Sequence, residues 1–458
     1  MSRPRLVHLA LLLRLALVLR LTLVPSFAAA AAVLGNAASG PPGSGSVSTL
    51  PVEELVLDNG LRVLLVPRPG PGLVAAAWAV RRGSGDEPRG KSGVAHLLEH
   101  LLHNGSTSVT ASDYARLYTE AGAVGIDART DRDVTAYFLR LPPERLELWF
   151  WLESDRLLHP AFGAVDRELK VIAEERRQRL EATALGPLDE ELQRLFWGDH
   201  PYASTAGGGA ADLAQLTRAD AEAFFAAHYG AEEITAVLVG DFAPASVREM
   251  ARRYFGRLPR ARAAASTTSA APAAGYGTID RSCACPPQAR VLYPTVAASD
   301  PDRPALDVLA GILAGRSGRL QRALVAERGL AFAATASEES GRRGGAFTVE
   351  IEARRGVAPQ TLVEAWDAEL ARLLAAPPTA DEMERVRNQV TTGAWRGMRE
   401  PLEFALRLLV ADAQGGWRSL ESWPRAVLAV EPADVQRVAR RYLTTERRLV
   451  ARITRSAP

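Results

Sequence analysis

The chain has 458 residues, 47% of them apolar and 24% charged, which is ordinary globular usage and excludes global disorder. That length is about three times a common domain of roughly 150 residues, so a single small module is excluded and two or more domains are expected. Lys+Arg 55 against Asp+Glu 53 leaves a net charge of +2, a balance that supplies no strong field toward nucleic acid or anionic lipid.

Residues 2–32 carry Arg3, Arg5, Arg14 and Arg20 in a Leu/Val/Ala-rich stretch ending in the small-residue run Ala28–Ala32, with no acidic residue before Glu53. A basic start and a small-residue end read as a targeting segment over 1–32, and Arg14 and Arg20 break the apolar run too often for a stable membrane span. Export to a periplasm or the exterior is the expectation, with an organellar matrix as the alternative. Residues 33–50 are a Gly/Ser/Pro linker. From Pro51 the chain folds, beginning with a hairpin over Leu55–Val66 around Asn59-Gly60, two residues that tolerate positive φ. Strand-rich and helix-rich segments then alternate, and the Ala/Ser/Thr/Pro-rich stretch 260–282 divides a first domain (51–259) from a second (283–455). The halves echo each other: Ala219–Tyr229 followed by the apolar run Ile234–Val239 is repeated by Ala433–Tyr442 followed by Leu449–Ile453. The fold class is therefore α+β, a duplicated α/β unit. Cys283 and Cys285, one residue apart, cannot staple distant segments and read as incidental thiols.

The segment His96-Leu97-Leu98-Glu99-His100 carries the chemistry. On a helix, residues four apart share a face, so His96 and His100 can turn imidazole nitrogens to one cation while Glu99 lies beside them. Two His suit Zn²⁺, and a carboxylate held off the metal can take a proton from an attacking water; the order is the inverted zinc-peptidase string His-x-x-Glu-His. A bland solvated helix face is the competing reading, but with only seven His in the chain this spacing is unusual. His103 shares nearly the same face yet sits roughly 10 Å along the axis at 1.5 Å per residue, too far for the same ion. A further helix over Asp166–Glu181 carries Glu168, Glu174 and Glu175. At 100° per residue Glu175 lies within about 20° of Glu168 while Glu174 points away, although this charged run also fits a solvated face paired with Arg176, Arg177 and Arg179. The earlier helix of residues 142–156 turns Leu146, Trp149, Phe150 and Leu152 inward, with Leu157 just beyond it, as core rather than ligand-binding groups.

Over roughly residues 50–455 the sequence resembles the pitrilysin/insulinase/mitochondrial processing peptidase family of zinc metallopeptidases, through His96-x-x-Glu99-His100 followed 75 positions after His100 by Glu175, with Glu168 seven before it. The resemblance implies one Zn²⁺ per chain on His96, His100 and Glu175, with Glu99 as general base and Glu168 as a supporting carboxylate. Ser92-Gly93-Val94-Ala95, Asn104-Gly105 and His200-Pro201-Tyr202 are further matches. Val308–Leu313, the counterpart of the motif helix in the second half, has no ligands. The family's Asn-Ala on the strand edge that receives peptide is Asp127-Ala128 here, and Asp127, Ala128, Thr130 and Tyr137 are the candidate substrate-binding residues, with the strand Val134–Leu139 expected to take the peptide as an added strand. The family's Arg and Tyr in the non-metal half correspond to Val325 and Phe332, so that pair is missing.

The resemblance thus implies half of a clamshell: a zinc metalloendopeptidase closed by a second copy or by a paralogous subunit that supplies the Arg/Tyr pair. The rivals are a non-catalytic scaffold or chaperone subunit of a heteromeric complex, and a zinc hydrolase of non-peptide amides.

Overall fold

A computed structural model describes residues 50–70, 72–261 and 276–456. The expected targeting segment, nearly all of the expected first linker and much of the second lie outside the described residues. The first half opens with β1 (Glu53–Val56) and β2 (Arg62–Pro67), antiparallel about the Asn59-Gly60 turn with Gly60 at φ 89°. Asn59 donates to the Phe255 and Leu258 carbonyls at 2.8 and 3.0 Å, so the turn also anchors the far end of this half. With β3 (Val74–Val80), β4 (Val124–Thr130), β5 (Thr135–Leu141) and β6 (Ile234–Gly240) these strands form a six-stranded sheet in the order β1-β2-β6-β3-β5-β4.

The second half repeats the plan with β7 (Gly277–Cys283), β8 (Gln288–Thr295), β9 (Ala331–Ser340), β10 (Gly345–Ala353) and β11 (Leu449–Arg455), ordered β7-β11-β8-β10-β9. Each sheet mixes one parallel pair, β2 with β6 and β7 with β11, into antiparallel neighbours. The helices Arg218–His228 and Pro432–Tyr442 precede β6 and β11 respectively, as the internal echo predicts.

Two expectations need correcting. The strand β7 begins inside the stretch 260–282 that composition marks as linker. Its residues are mostly exposed and polar, so pairing with β11, not an apolar face, makes it a strand. Cys283 and Cys285 are joined as a disulfide instead of standing as separate thiols. Separation in sequence misjudged them: their Cα atoms are 5.2 Å apart, inside the range a disulfide bridges.

All seven residues of β3 and all seven of β6 are buried, the mark of a sheet covered on both faces. One face packs on helices of its own half: α1 (Val94–His103), α2 (Leu146–Leu158) and α3 (Val165–Arg176). The other face is covered from the second half. There Phe404, Ala405, Leu408 and Leu409 of the helix Pro401–Ala413 pack on Leu64, Val66, Ala75, Ala77, Val237 and Val239. The exchange is reciprocal, for Leu188, Leu192, Phe196 and Trp197 of the helix Gly186–Trp197 in the first half pack on Ala346, Leu449, Ala451 and Ile453 of the second sheet.

Candidate metal centre

Helix α1 turns Leu97, Leu98, Leu101 and Leu102 into the core, which leaves His96, Glu99 and His100 on the face toward α3 and β4. Its start depends on Gly93 at φ 95°, where a Cβ would stand 2.6 Å from Leu213 Cδ2; only Gly accepts both constraints. No side chain of Gly93 can cap the helix, and the Glu87 carboxylate serves instead, accepting from the Ala95 N–H at 2.9 Å. Burial drives the Glu87 carboxyl up to about 8. Ser92 Oγ donates to Asp212 at 2.5 Å and ties down the preceding loop.

The Nε2 atoms of His96 and His100 face each other at 3.2 Å, and the two carboxylate oxygens of Glu175, from α3, lie 3.8 Å from one Nε2 each. One ligand atom from each of these residues falls within 4.8 Å of the others. This donor set fits zinc: ligands about 2.0–2.1 Å from a tetrahedral ion stand roughly 3.3 Å apart, close to the observed separation of the two imidazoles. Glu168 Oε2 lies 3.2 Å from His100 Nδ1, the contact that places the ring proton on Nδ1 and leaves the Nε2 lone pair for a metal. Burial opposes ionisation of Glu168, but hydrogen bonds from His100, Asn104 and Arg167 outweigh it and hold the carboxyl at about 2. Burial, helped by His100 and Arg179, takes His96 down to about 3, so its imidazole is neutral and ready to ligate. Glu174 is on the outer face, paired with Arg177 at 2.6 Å.

Glu99 stands off this cluster and is buried. Burial is the main cause that lifts its carboxyl to about 7, against a hydrogen bond from Thr130 that lowers it. Thr130 Oγ1 donates to Glu99 Oε2 at 2.6 Å. His103 lies apart, half-buried, its ring centroid 6.0 Å from that of Tyr137.

Of the candidate substrate-binding residues, Asp127, Ala128 and Thr130 lie on β4, an edge strand whose outer side is open. Tyr137 lies on β5, 1% exposed and stacked on Trp78 at 4.2 Å, with no ring surface to offer a peptide. The expectation that the Val134–Leu139 strand receives peptide needs correcting: β5 is hydrogen-bonded to β3 on one side and β4 on the other, so of these two strands beside the metal centre β4 is the one at a sheet edge. Two features escaped the sequence reading. The Thr130–Glu99 bond joins residues 31 apart with no local signal. Arg179 lies 3.4 Å from the Glu175 carboxylate, a contact that the i,i+4 spacing makes legible but that a solvated charged face would show equally.

Residues 62–207 match the family model described as Insulinase (Peptidase family M16), and residues 215–390 match that of the Peptidase M16 inactive domain. An uncharacterized zinc protease of Mycobacterium leprae is 30% identical over 307 residues, covering 64% of this chain and 67% of the relative. The chain belongs to the M16 peptidase family. Within that family, zinc protease PqqE of Helicobacter pylori is 26% identical over 403 residues, 85% of this chain and 90% of the relative. A protease structure from Helicobacter pylori superposes with a TM-score of 0.81 at 24% identity, covering 89% of this chain and all of the other, 100%. Pitrilysin superposes at 0.74 and 20% identity, with 88% of this chain on 44% of that one. This M16 chain therefore has the fold of half a clamshell. Its match to the inactive domain agrees with the helix Arg303–Leu313, the counterpart of α1, which carries no His. In the second half Val325 packs against the core, and Phe332, on the edge strand β9, is 69% exposed. Among the described residues no helix is long and apolar enough to cross a membrane.

Proposed function

We propose that the protein is a zinc-dependent endopeptidase that hydrolyses peptides or unfolded segments added as a strand to the free edge of β4. The observation that carries this reading is the convergence of His96, His100 and Glu175 from two helices, with Glu99 beside them and off the ligand set. Zinc, when bound, supplies Lewis acidity toward water and the scissile carbonyl. Glu99, with its carboxyl lifted to about 7, is suited both to accept a proton from water and to return it to the leaving amine near neutral pH. Glu168 orients His100, and the backbone of Asp127–Thr130 would pair with the peptide, an interaction that tolerates many side chains.

Since Val325 and Phe332 offer neither a guanidinium nor a phenol, a second chain closes the site in this reading. It is another copy or, with better chemistry, a paralogue that brings the Arg/Tyr pair. The basic, acid-poor N-terminus supports export, and one structural neighbour is a periplasmic protease, PqqL of Escherichia coli. The missing pair is also the observation that favours a scaffold subunit as the second reading; the filled ligand set weighs against it.

The test is Glu99→Gln. Metal analysis is expected to find zinc retained, while cleavage of a peptide library, with the partner chain present, falls by three orders of magnitude or more, roughly the scale of general-base catalysis combined with lost orientation. Undiminished cleavage overturns the role of Glu99. Zinc-loaded wild type that cleaves nothing favours the scaffold.

A further inference from the structure

Resting on that reading of Glu99 as the proton carrier, we infer that Thr130 is its positioning residue: the strand edge that would take up a peptide also sets the place of the base. Glu99 stands on α1 with three side-chain torsions of its own, and nothing within the helix determines where its carboxylate points. The constraint comes from Thr130, the last residue of β4, whose hydroxyl donates to Glu99 Oε2 at 2.6 Å. Thr suits the task because its branched Cβ restricts χ1, so the hydroxyl direction follows the backbone.

That backbone is itself anchored on several sides. Thr130 pairs with Thr135 across the β4–β5 ladder, and Asp131 N–H closes the turn on the Val134 carbonyl at 2.8 Å. The Asp131 and Arg132 carbonyls accept from Ser84 and Gly85 N–H at 3.0 and 2.8 Å, on the segment that leads into α1. Asp133 accepts from Tyr202 Oη at 2.6 Å and from the Arg342 N–H of the second half at 2.8 Å. A hydroxyl held by so many fixed points is preorganised, the condition under which a reacting group keeps its productive geometry. The same contact argues against a direct role in reading peptide side chains, since the Thr130 proton is already committed to Glu99.

The experiment compares Thr130→Val, which keeps the shape and removes the hydroxyl, with Thr130→Ser, which keeps the hydroxyl, in zinc-loaded protein with its partner chain. Thr130→Val is expected to lower kcat about ten- to hundredfold, the scale of one hydrogen bond to a charged group, with KM and zinc affinity unchanged within about twofold. Thr130→Ser is expected to recover most of kcat. Crystal structures of wild type and both variants supply a readout independent of turnover: the Glu99 carboxylate should leave its place in Thr130→Val and return to it in Thr130→Ser. An unchanged kcat, a rise in KM alone, or a Glu99 carboxylate that stays in place without the hydroxyl each overturns the inference. If wild type cleaves nothing, the peptidase reading falls, and the crystallographic comparison still decides whether Thr130 positions Glu99.

Discussion

Glu174 and Glu175 are adjacent and chemically identical, yet one pairs with Arg177 on an outer face while the other approaches two imidazoles. Their environments set distinct outcomes for the same substitution. On the proposed zinc-site reading, Glu175→Gln is expected to lower zinc affinity by more than a hundredfold, because a charged ligand would be removed, and Glu168→Gln by about ten- to a hundredfold, the range for groups that orient a ligand. Glu174→Gln should stay within about twofold of wild type, as surface changes do. Competition titration against a chelator ranks the three, and equal losses at Glu174 and Glu175 would contradict the observed register of α3. That register is a local property of an α-helix, which is why spacing alone separates the two residues. The Thr130 contact has no such local basis.

Among the elements, the helix Pro401–Ala413 has the most unexpected place, since it belongs by sequence to the second half and packs on the first sheet. Phe404 is fully buried there, with the Arg68 guanidinium over its ring at 4.9 Å. Phe404→Ala is expected to destabilise the protein by about 3–5 kcal/mol, the usual cost of emptying a buried aromatic site. Trp395→Ala, in the preceding helix at 60% exposure, should change stability by no more than about 0.5 kcal/mol. Denaturant unfolding of the two variants measures the difference. The apolar spacing of Phe404, Leu408 and Leu409 announces a helix with a buried face. It does not say which sheet receives that face, because burial is non-directional and any apolar surface of the right shape would serve.

At the scale of the molecule, the reciprocal exchange of helices makes each half a lid for the other, and the contact is reinforced at the turn Gly341–Gly344. There Arg342 and Arg343 both reach Asp86, at 2.8 and 2.6 Å, one residue before the Glu87 that caps α1. A fragment of residues 50–261 alone would expose the apolar face formed by Leu64, Val66, Ala75, Ala77, Val237 and Val239. It is expected to aggregate or bind a hydrophobic dye, and co-expression with residues 276–456 should restore a soluble complex; a monomeric, cooperatively folded 50–261 fragment would refute this interdependence. The sequence by itself determined the duplicated α+β plan, the helices that carry His96, Glu99, His100, Glu168 and Glu175, and the turn at Asn59-Gly60, because periodicity, turn chemistry and ligand spacing act over a few residues. Only the tertiary structure decided that β4 and not β5 is the free edge, that Thr130 holds Glu99, that β7 is a strand, and that each sheet is roofed by a helix from the other half. Those outcomes depend on which distant surfaces meet, and no short stretch of chain encodes the identity of its partner.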